Sequence, residues 1–262
     1  MKNVRVYTLF SGSDGNCHYL RIGDTEFLVD AGKNAKAITS SLHSIGTDIK
    51  NIKALFITHE HSDHISAVRV LQKKNPSIKI YLHASCLHTL ESIGADVSQV
   101  HTINAEEEVT EGDAYIRCFT VPHDSSACLG YRFSTLNGEA CLGIATDVGH
   151  LTLEVTEGLC GCDSVIIESN HDPDMLRRGT YPEHLKKRIL SARGHLSNDS
   201  CAKLCAYLKL NGTKNLMLAH LSKENNTPEL ALSAHSQYTP LGNLKVSSHT
   251  DPVCLTDEPD CK

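Results

Sequence analysis

Short apolar runs broken by polar turns govern the N-terminal part of the chain. Val4–Phe10, Cys17–Ile22 and Phe27–Asp30 read as strands, and the glycine-containing turns between them predict a hairpin meander. Ala37, Ile38, Leu42 and Ile45 keep helical spacing, so a helix is predicted over 34–46, stopped by Gly46. A further strand, Ala54–Thr58, leads into a polar segment dense in histidine. Beyond it, Ala67, Val68, Val70 and Leu71 predict a helix that closes near Asn75-Pro76. A strand at Ile78–Leu82 and a helix at Cys86–Ile93, stopped by Gly94, follow.

The second half repeats the pattern. Glu108–Thr110, Tyr115–Val121, Cys128–Phe133 and Ala140–Ala145 read as strands, then Val165–Glu168 and Asn215–Ala219. Helices fit 182–192, 198–210 and 228–236. Pro182 is tolerated in a first turn, and Ser197 opens an S-N-D-S string suited to an N-cap. The tail beyond Lys245 is polar and is expected to be loosely ordered. This order of elements predicts two mixed sheets packed together with helices outside. No repeat or low-complexity linker divides the chain, so a single domain over 1–262 is expected.

Composition narrows the class. A chain of 262 residues, 40% hydrophobic and 21% charged, can bury a substantial core and is not of the disordered type. The net charge of −6 argues against a surface that coats nucleic acid generally, but leaves room for a local basic patch. That patch is 177–193, where Arg177, Arg178, Lys186, Lys187, Arg188 and Arg193 stand against Glu183 alone. The first apolar stretch breaks at Ser11-Gly12, short of a secretion signal, and no run approaches a membrane span. A cytoplasmic protein without a membrane partner is expected. The eleven cysteines contain no Cys-x-x-Cys pair and read as small buried apolar residues in a reducing compartment.

The chemistry concentrates in Thr58-His59-Glu60-His61-Ser62-Asp63-His64, of the form H-x-H-x-D-H. Imidazoles and a carboxylate this close together are natural ligands for divalent metals. Such a string is expected by chance roughly 0.004 times in a chain of this composition, which sets aside an accidental histidine-rich turn. The ligands sit on the loop after a strand, where a rigid sheet aims them. One cluster cannot enclose two metals, and further candidates stand at other strand ends. His123 follows Tyr115–Val121, Asp147 follows Ala140–Ala145, and His220 follows Asn215–Ala219. Their repeated placement points to one converging site.

The combination of H-x-H-x-D-H with His123, Asp147 and His220 resembles the metallo-β-lactamase superfamily. Longer strings are similar to one bacterial branch of it, the YycJ/WalJ-type hydrolases. They are S-G-S-D-G-N-C at 11–17, L-V-D-A-G at 28–32, T-H-E-H-S-D-H-I at 58–65, V-P-H-D at 121–124 and A-T-D-V-G at 145–149. Further on stand E-S-N-H-D-P-D-M-L at 168–176, Y-P-E-H-L-K-K-R-I-L-S at 181–191, G-H-L-S-N at 194–198 and A-H-L-S-K-E-N-N at 219–226.

The resemblance implies an α/β protein with a four-layer αββα sandwich and two divalent metal ions, zinc first, manganese or iron as alternatives. It implies His59, His61 and His123 on one ion, Asp63, His64 and His220 on the other, Asp147 as the bridge and Asp30 as a support below. It implies a hydrolase, a phosphodiesterase or nuclease acting on DNA, with exonuclease as the finer expectation. Asp147 where secreted β-lactamases carry Cys, and His61 where diiron redox relatives carry Glu, set the chain apart from both. The short intervals around Asp147 leave no room for an RNA-processing arm or an inserted cap domain.

Within that reading Asp63 orients the attacking water and can take its proton. His195 in G-H-L-S, paired with Glu168 at a strand end, is the candidate acid for the leaving group, and a capping or phosphate-anchoring role is its alternative. Ser11, Ser13 and Asn16 in the first turn, His171, and Lys186 and Lys187 in the basic stretch are candidate substrate contacts. Each has a plainer counterpart: a tight hairpin, a loop histidine packed beside the site, and a solvated helix with Leu185 and Ile189 inward. Two other functions fit the same residues, a small-molecule phosphodiester or thioester hydrolase and a metal-binding regulatory protein with little turnover. Oligomeric state leaves no legible signal.

Overall fold

In the computed structural model, which describes residues 4–236 and 243–256, the first apolar runs form the expected meander. β1 (Val4–Phe10), β2 (Cys17–Ile22) and β3 (Thr25–Val29) are antiparallel neighbours. The chain crosses outside the sheet in α1 (Ala35–Ser44), whose N-cap Asn34 accepts the Ala37 N–H, and returns as β4 (Ile52–Phe56), parallel to β3. After α2 (Ser62–Ile65) and α3 (Val68–Lys74) comes β5 (Lys79–Leu82), and after α4 (Leu87–Ser92) comes β6 (Val100–Thr102), both parallel additions.

β7 (Glu108–Glu111), β8 (Ala114–Thr120), β9 (Leu129–Thr135) and β10 (Cys141–Ala145) form a second meander. α5 (Leu153–Leu159) then leads to β11 (Ser164–Glu168). α6 (Pro173–Arg178), α7 (Glu183–Ile189) and α8 (Asn198–Leu210) precede β12 (Asn215–Ala219), and α9 (Pro228–His235) precedes β13 (Asn243–Val246). These last strands are parallel additions to β10. β14 (Val253–Cys254) pairs with β1. Two seven-stranded sheets result, ordered β14-β1-β2-β3-β4-β5-β6 and β13-β12-β11-β10-β9-β8-β7.

Apolar residues sort into layers. Leu28 and Leu55 pack outward against Ile38 and Leu42 of α1 and Val68 and Leu71 of α3. Phe27, Phe56, Tyr131, Phe133, Ile166 and Met217 fill the space between the sheets. Val165, Ile167, Leu216 and Leu218 face Val155 of α5 and Leu204 and Leu208 of α8. β11 shows the alternation within one strand, since Ile166 points to the opposite sheet while Val165 and Ile167 point to the helices. This is the four-layer αββα sandwich. No helix among the described residues is long and apolar enough to cross a membrane.

The tail departs from expectation. β13 and β14 occupy the outer edges of the two sheets, where unpaired backbone groups bind any compatible strand, so residues 243–256 are ordered. Residues 257–262 lie outside the described ones. β6, α5 and α6 are additions to the predicted elements. α5 contains Gly158, which reads as a helix breaker, but a Cβ there would lie 2.5 Å from the Phe119 ring. α6 is short, and starts where Asp172 accepts the Met175 N–H at 2.7 Å ahead of Pro173.

Phe56 is the hub between the sheets, stacked on Tyr81 at 4.7 Å and edge-on to Tyr131 and Phe133 at 5.4 and 5.2 Å. Phe56→Ala is expected to lower the unfolding free energy by about 3–5 kcal/mol, seen as a lower urea midpoint with an unchanged slope. A loss below about 1 kcal/mol would mean that the neighbouring rings close the space.

Candidate metal centre

Three strands end on a residue with left-handed backbone: Asp30 after β3 at φ 60°, Asp147 after β10 at φ 58°, and His220 after β12 at φ 56°. That conformation costs a non-glycine residue about 1 kcal/mol or more and persists only where its surroundings enforce it. All three side chains are buried and aimed into one volume at the strand ends. The H-x-H-x-D-H loop enters from β4, and its Asp63 carbonyl presses on Gly32, where a Cβ would sit 1.5 Å away. Glycine in L-V-D-A-G is thus a packing requirement.

The donor atoms of His59, His61 and His123 lie within 4.8 Å of one another, and so do those of Asp63, His64 and His220. Asp147 stands between the sets. Its Oδ2 is 3.2 Å from His64 Nε2 and its Oδ1 is 3.8 Å from His123 Nε2. His61 Nδ1 and His123 Nε2 approach to 3.4 Å, and His220 Nε2 and Asp63 Oδ2 to 3.7 Å.

The outward nitrogens are held by a second ring of groups. His64 Nδ1 donates to Asp30 Oδ2 at 2.8 Å, and the Thr58 N–H donates to Asp30 Oδ1 at 2.8 Å. The Thr58 hydroxyl donates to Asp30 Oδ2 at 2.9 Å and lies 3.0 Å from His59 Nδ1. His123 Nδ1 donates to the Gly194 carbonyl at 3.2 Å. Glu168 Oε1 accepts from His220 Nδ1 and from His195 Nδ1, both at 2.8 Å. Its other oxygen takes the Val148 and Leu196 N–H groups at 2.7 and 2.9 Å. These bonds occupy the Nδ1 atoms, so the Nε2 atoms of His59, His64, His123 and His220 face the centre and offer lone pairs there once any proton on them has left.

Burial opposes a charge on Glu168, but the two histidines outweigh it and hold its carboxyl down at about 2. Burial also opposes a cationic His220, yet Asp147, Asp63 and Glu168 push it up to about 10. His64 is raised in the same way by Asp30 and Asp147. His59 and His123 are lowered, chiefly by burial. His195 is raised, because Glu168 overcomes its burial.

His59 Nε2 and His220 Nε2 are buried with no hydrogen-bond partner among the described residues, and Asp147 Oδ2 is buried against His64 Nε2. An orphaned buried acceptor costs about 1–3 kcal/mol, and several aimed at one another repel. Divalent cations held by these nitrogen and oxygen donors remove both costs, so the residues fit the metal ions that the fold implies.

Some expected substrate contacts take other partners. Ser11 is buried, and its Oγ accepts the His220 N–H at 2.7 Å. Asn16 is buried, accepts the Gly12 N–H at 2.9 Å, and brings Nδ2 to 3.1 Å from His64 Nε2 and 3.4 Å from Asp63 Oδ2. Both support metal-facing residues. Ser13 is exposed on the same turn. His171 is buried, with neither ring nitrogen paired among the described residues, and burial lowers it to about 4. Lys186 is buried and donates to the Arg177 carbonyl at 2.9 Å, so it ties α7 to α6 and is no free surface cation. Lys186 and Ile189 form the inner face of α7, in place of the expected Leu185 and Ile189 pair. Lys187 is exposed. The roles of Thr58 and Asp124 escape the sequence reading, which places Arg193 only among the cations of 177–193. Arg193 donates to the carbonyls of His123 and Ser125 at 2.7 and 3.1 Å, a role without a sequence signature.

Asp30→Ala is expected to weaken metal binding about 10–100-fold in chelator competition, because His64 loses its orienting acceptor. Unchanged affinity would show that Thr58 and Asn16 suffice. Metal binding must also displace protons from His220 and His64, so affinity is expected to rise with pH, with proton release visible as a buffer-dependent binding heat. In chelator the sign reverses. The raised His220 contributes stability that is complete below pH ~6.5 and is lost as pH rises through about 10.

The profile of the beta-lactamase superfamily domain matches residues 25–221. The exodeoxyribonuclease WalJ of Streptococcus pneumoniae is 40% identical over 227 residues, which span 85% of this chain and 83% of that one. The exodeoxyribonuclease YycJ of Bacillus anthracis is 34% identical over 231 residues, 87% of this chain and 86% of that one. Among solved structures, the metallo-beta-lactamase fold protein YhfI of Bacillus subtilis superposes with a TM-score of 0.74 at 17% identity, covering 95% of this chain and 99% of its own. With its converging histidines and aspartates and a profile match over most of its length, the chain belongs to the beta-lactamase superfamily.

Proposed function

We propose that this protein is a dimetal phosphodiesterase that degrades DNA from an end. One observation carries the reading: His195 and Glu168, bonded to each other at 2.8 Å, stand against His220 at 2.8 Å and Asp147 at 3.7 Å without belonging to the H-x-H-x-D-H loop. A hydrolase of phosphodiesters needs such a group, because an alkoxide leaves poorly unless it is protonated. The relatives named exodeoxyribonucleases support DNA as the substrate.

His59, His61, His123, Asp63, His64, His220 and Asp147 would hold the ions. Zinc suits this donor set best, and manganese or iron are accepted by the same atoms. When bound, two divalent ions supply an activated water and positive charge against the developing phosphorane. The chain supplies orientation and protons. Asp63, partly exposed, accepts the hydrogen bond that aims the water. Burial opposes its charge, but His220 and His64 hold its carboxyl well below the usual range, so it orients more readily than it keeps a proton. Glu168 fixes His195 by Nδ1 and favours its protonated form, leaving Nε2–H to donate to the leaving oxygen. His195 is partly exposed, as a group that meets substrate must be.

End-labelled DNA, end-labelled RNA and a chromogenic phosphodiester, offered in parallel to metal-loaded protein, test the assignment. Stepwise shortening of DNA is expected. Turnover of the small ester alone, insensitive to salt, would favour a small-molecule hydrolase. His195→Ala is expected to slow DNA hydrolysis about 10²–10⁴-fold with metal content unchanged, and to slow a p-nitrophenyl ester much less, since that group departs unprotonated. Equal losses on both substrates would make His195 a phosphate anchor instead.

A further inference from the structure

Lys186 is the one buried cation of the basic stretch 177–193, and several of its exposed cations already hold partners within the protein. Lys186 bonds the Arg177 carbonyl, Arg193 bonds the carbonyls of His123 and Ser125, and Arg177 pairs with Asp174 along its own helix at 3.3 Å. Arg188 is placed differently. Its guanidinium forks onto Asp124, with Nε 2.5 Å from Oδ2 and Nη2 3.1 Å from Oδ1. Asp124 Oδ1 is at the same time 3.3 Å from His123 Nε2, the nitrogen that faces the metal set. Arg188 therefore stands one carboxylate away from a metal-facing atom, on a side chain that is 52% exposed. Asp124 holds it in the charged form first, and the carboxylates of Asp147 and Asp63 add to that field.

We propose that Arg188 is a phosphate-orienting residue, whose fork takes the non-bridging oxygens of a phosphodiester beside the metal set, with Asp124 holding the fork in position until the phosphate arrives. This deepens the phosphodiesterase reading and rests on it. A carboxylate and a phosphate offer a guanidinium the same pair of oxygens, so a fork aligned on Asp124 is aligned for phosphate. The pair is solvent-exposed, and exposed ion pairs are weak, so exchange of one acceptor for the other costs little. The Asp124 loop is itself anchored, because Arg193 grips the carbonyls on either side of it. A rigid carboxylate at the rim fixes the direction of a flexible arginine, and a thioester offers that arginine no anion. Arg188 thus selects phosphodiesters over the thioesters that the same metal set could otherwise admit.

The test uses the full-length, metal-loaded protein, with inorganic phosphate as probe in calorimetry and with the DNA oligonucleotide and bis-p-nitrophenyl phosphate in steady state. Arg188→Ala is expected to weaken phosphate binding and to raise KM for both substrates about tenfold or more, with a smaller change in kcat and unchanged metal content. Arg188→Lys keeps the charge but not the fork and is expected to recover only a minor part of the loss. Asp124→Asn removes the carboxylate that aims the fork and is expected to weaken phosphate binding, by less than Arg188→Ala does, and tighter binding would overturn the positioning role of Asp124. Unchanged phosphate binding in Arg188→Ala, or full rescue by lysine, overturns the proposal. Loss of metal from Arg188→Ala also overturns it, by making the pair a support for His123. Phosphate binding that depends on Arg188 in a protein that leaves DNA intact keeps this site and removes the nuclease reading.

Discussion

Imidazoles and carboxylates converge here in one buried volume, and the rest of the molecule is arranged around that constraint. His59 Nε2 and His220 Nε2 have no hydrogen-bond partner among the described residues, while their outer atoms are tied down. Donors held this way by an outer ring of hydrogen bonds favour positive charge in the middle, as the raised His220 and His64 show. Asp30, Thr58, Glu168, Ser11 and Asn16 thus hold the clustered histidines and aspartates in place although they are not among them.

The sandwich explains how residues from distant parts of the chain reach one volume. Parallel strands β3, β4, β10, β11 and β12 deliver their C-terminal ends to the same side. At three of those ends the chain turns left-handed on a non-glycine residue, and each such residue belongs to the site. Strain at Asp30, Asp147 and His220 is a local conflict that the surrounding bonds hold in place, and such conflicts cluster where function sets the geometry. Glu168 joins the two halves of the chemistry, since a single oxygen accepts from a metal-facing histidine and from the candidate acid.

Much of this was legible in the sequence because periodicity and ligand chemistry are both local signals. β1, β2 and β12 follow the apolar runs residue for residue, and α8 follows its S-N-D-S start. The spacing H-x-H-x-D-H and the strand-end positions of His123, Asp147 and His220 mark donors that the structure brings together. Partnerships across sequence distance were not legible. Ser11 and Asn16 looked like groups free for substrate, because no local pattern shows that His220 and His64 would need them. Lys186 looked like a surface charge, because the Arg177 carbonyl that absorbs it lies on another helix. The tail beyond Lys245 read as loosely ordered, because a strand that completes an exposed sheet edge needs little apolar character of its own.

The edge pairing of the tail has a kinetic side. β14 lies against β1, and the Val6 carbonyl accepts the Leu255 N–H at 2.9 Å. Ser11 waits for His220 across 209 residues of chain. Closing such loops is slow and comes after local structure, so helices and hairpins form well before the two sheets are sealed. A nascent chain that has not yet reached β12 carries every histidine of the H-x-H-x-D-H loop but lacks His220 from the far end of the donor set. The complete donor set is therefore a property of the finished topology, because it needs the loop after β4 and the end of β12 in the same volume.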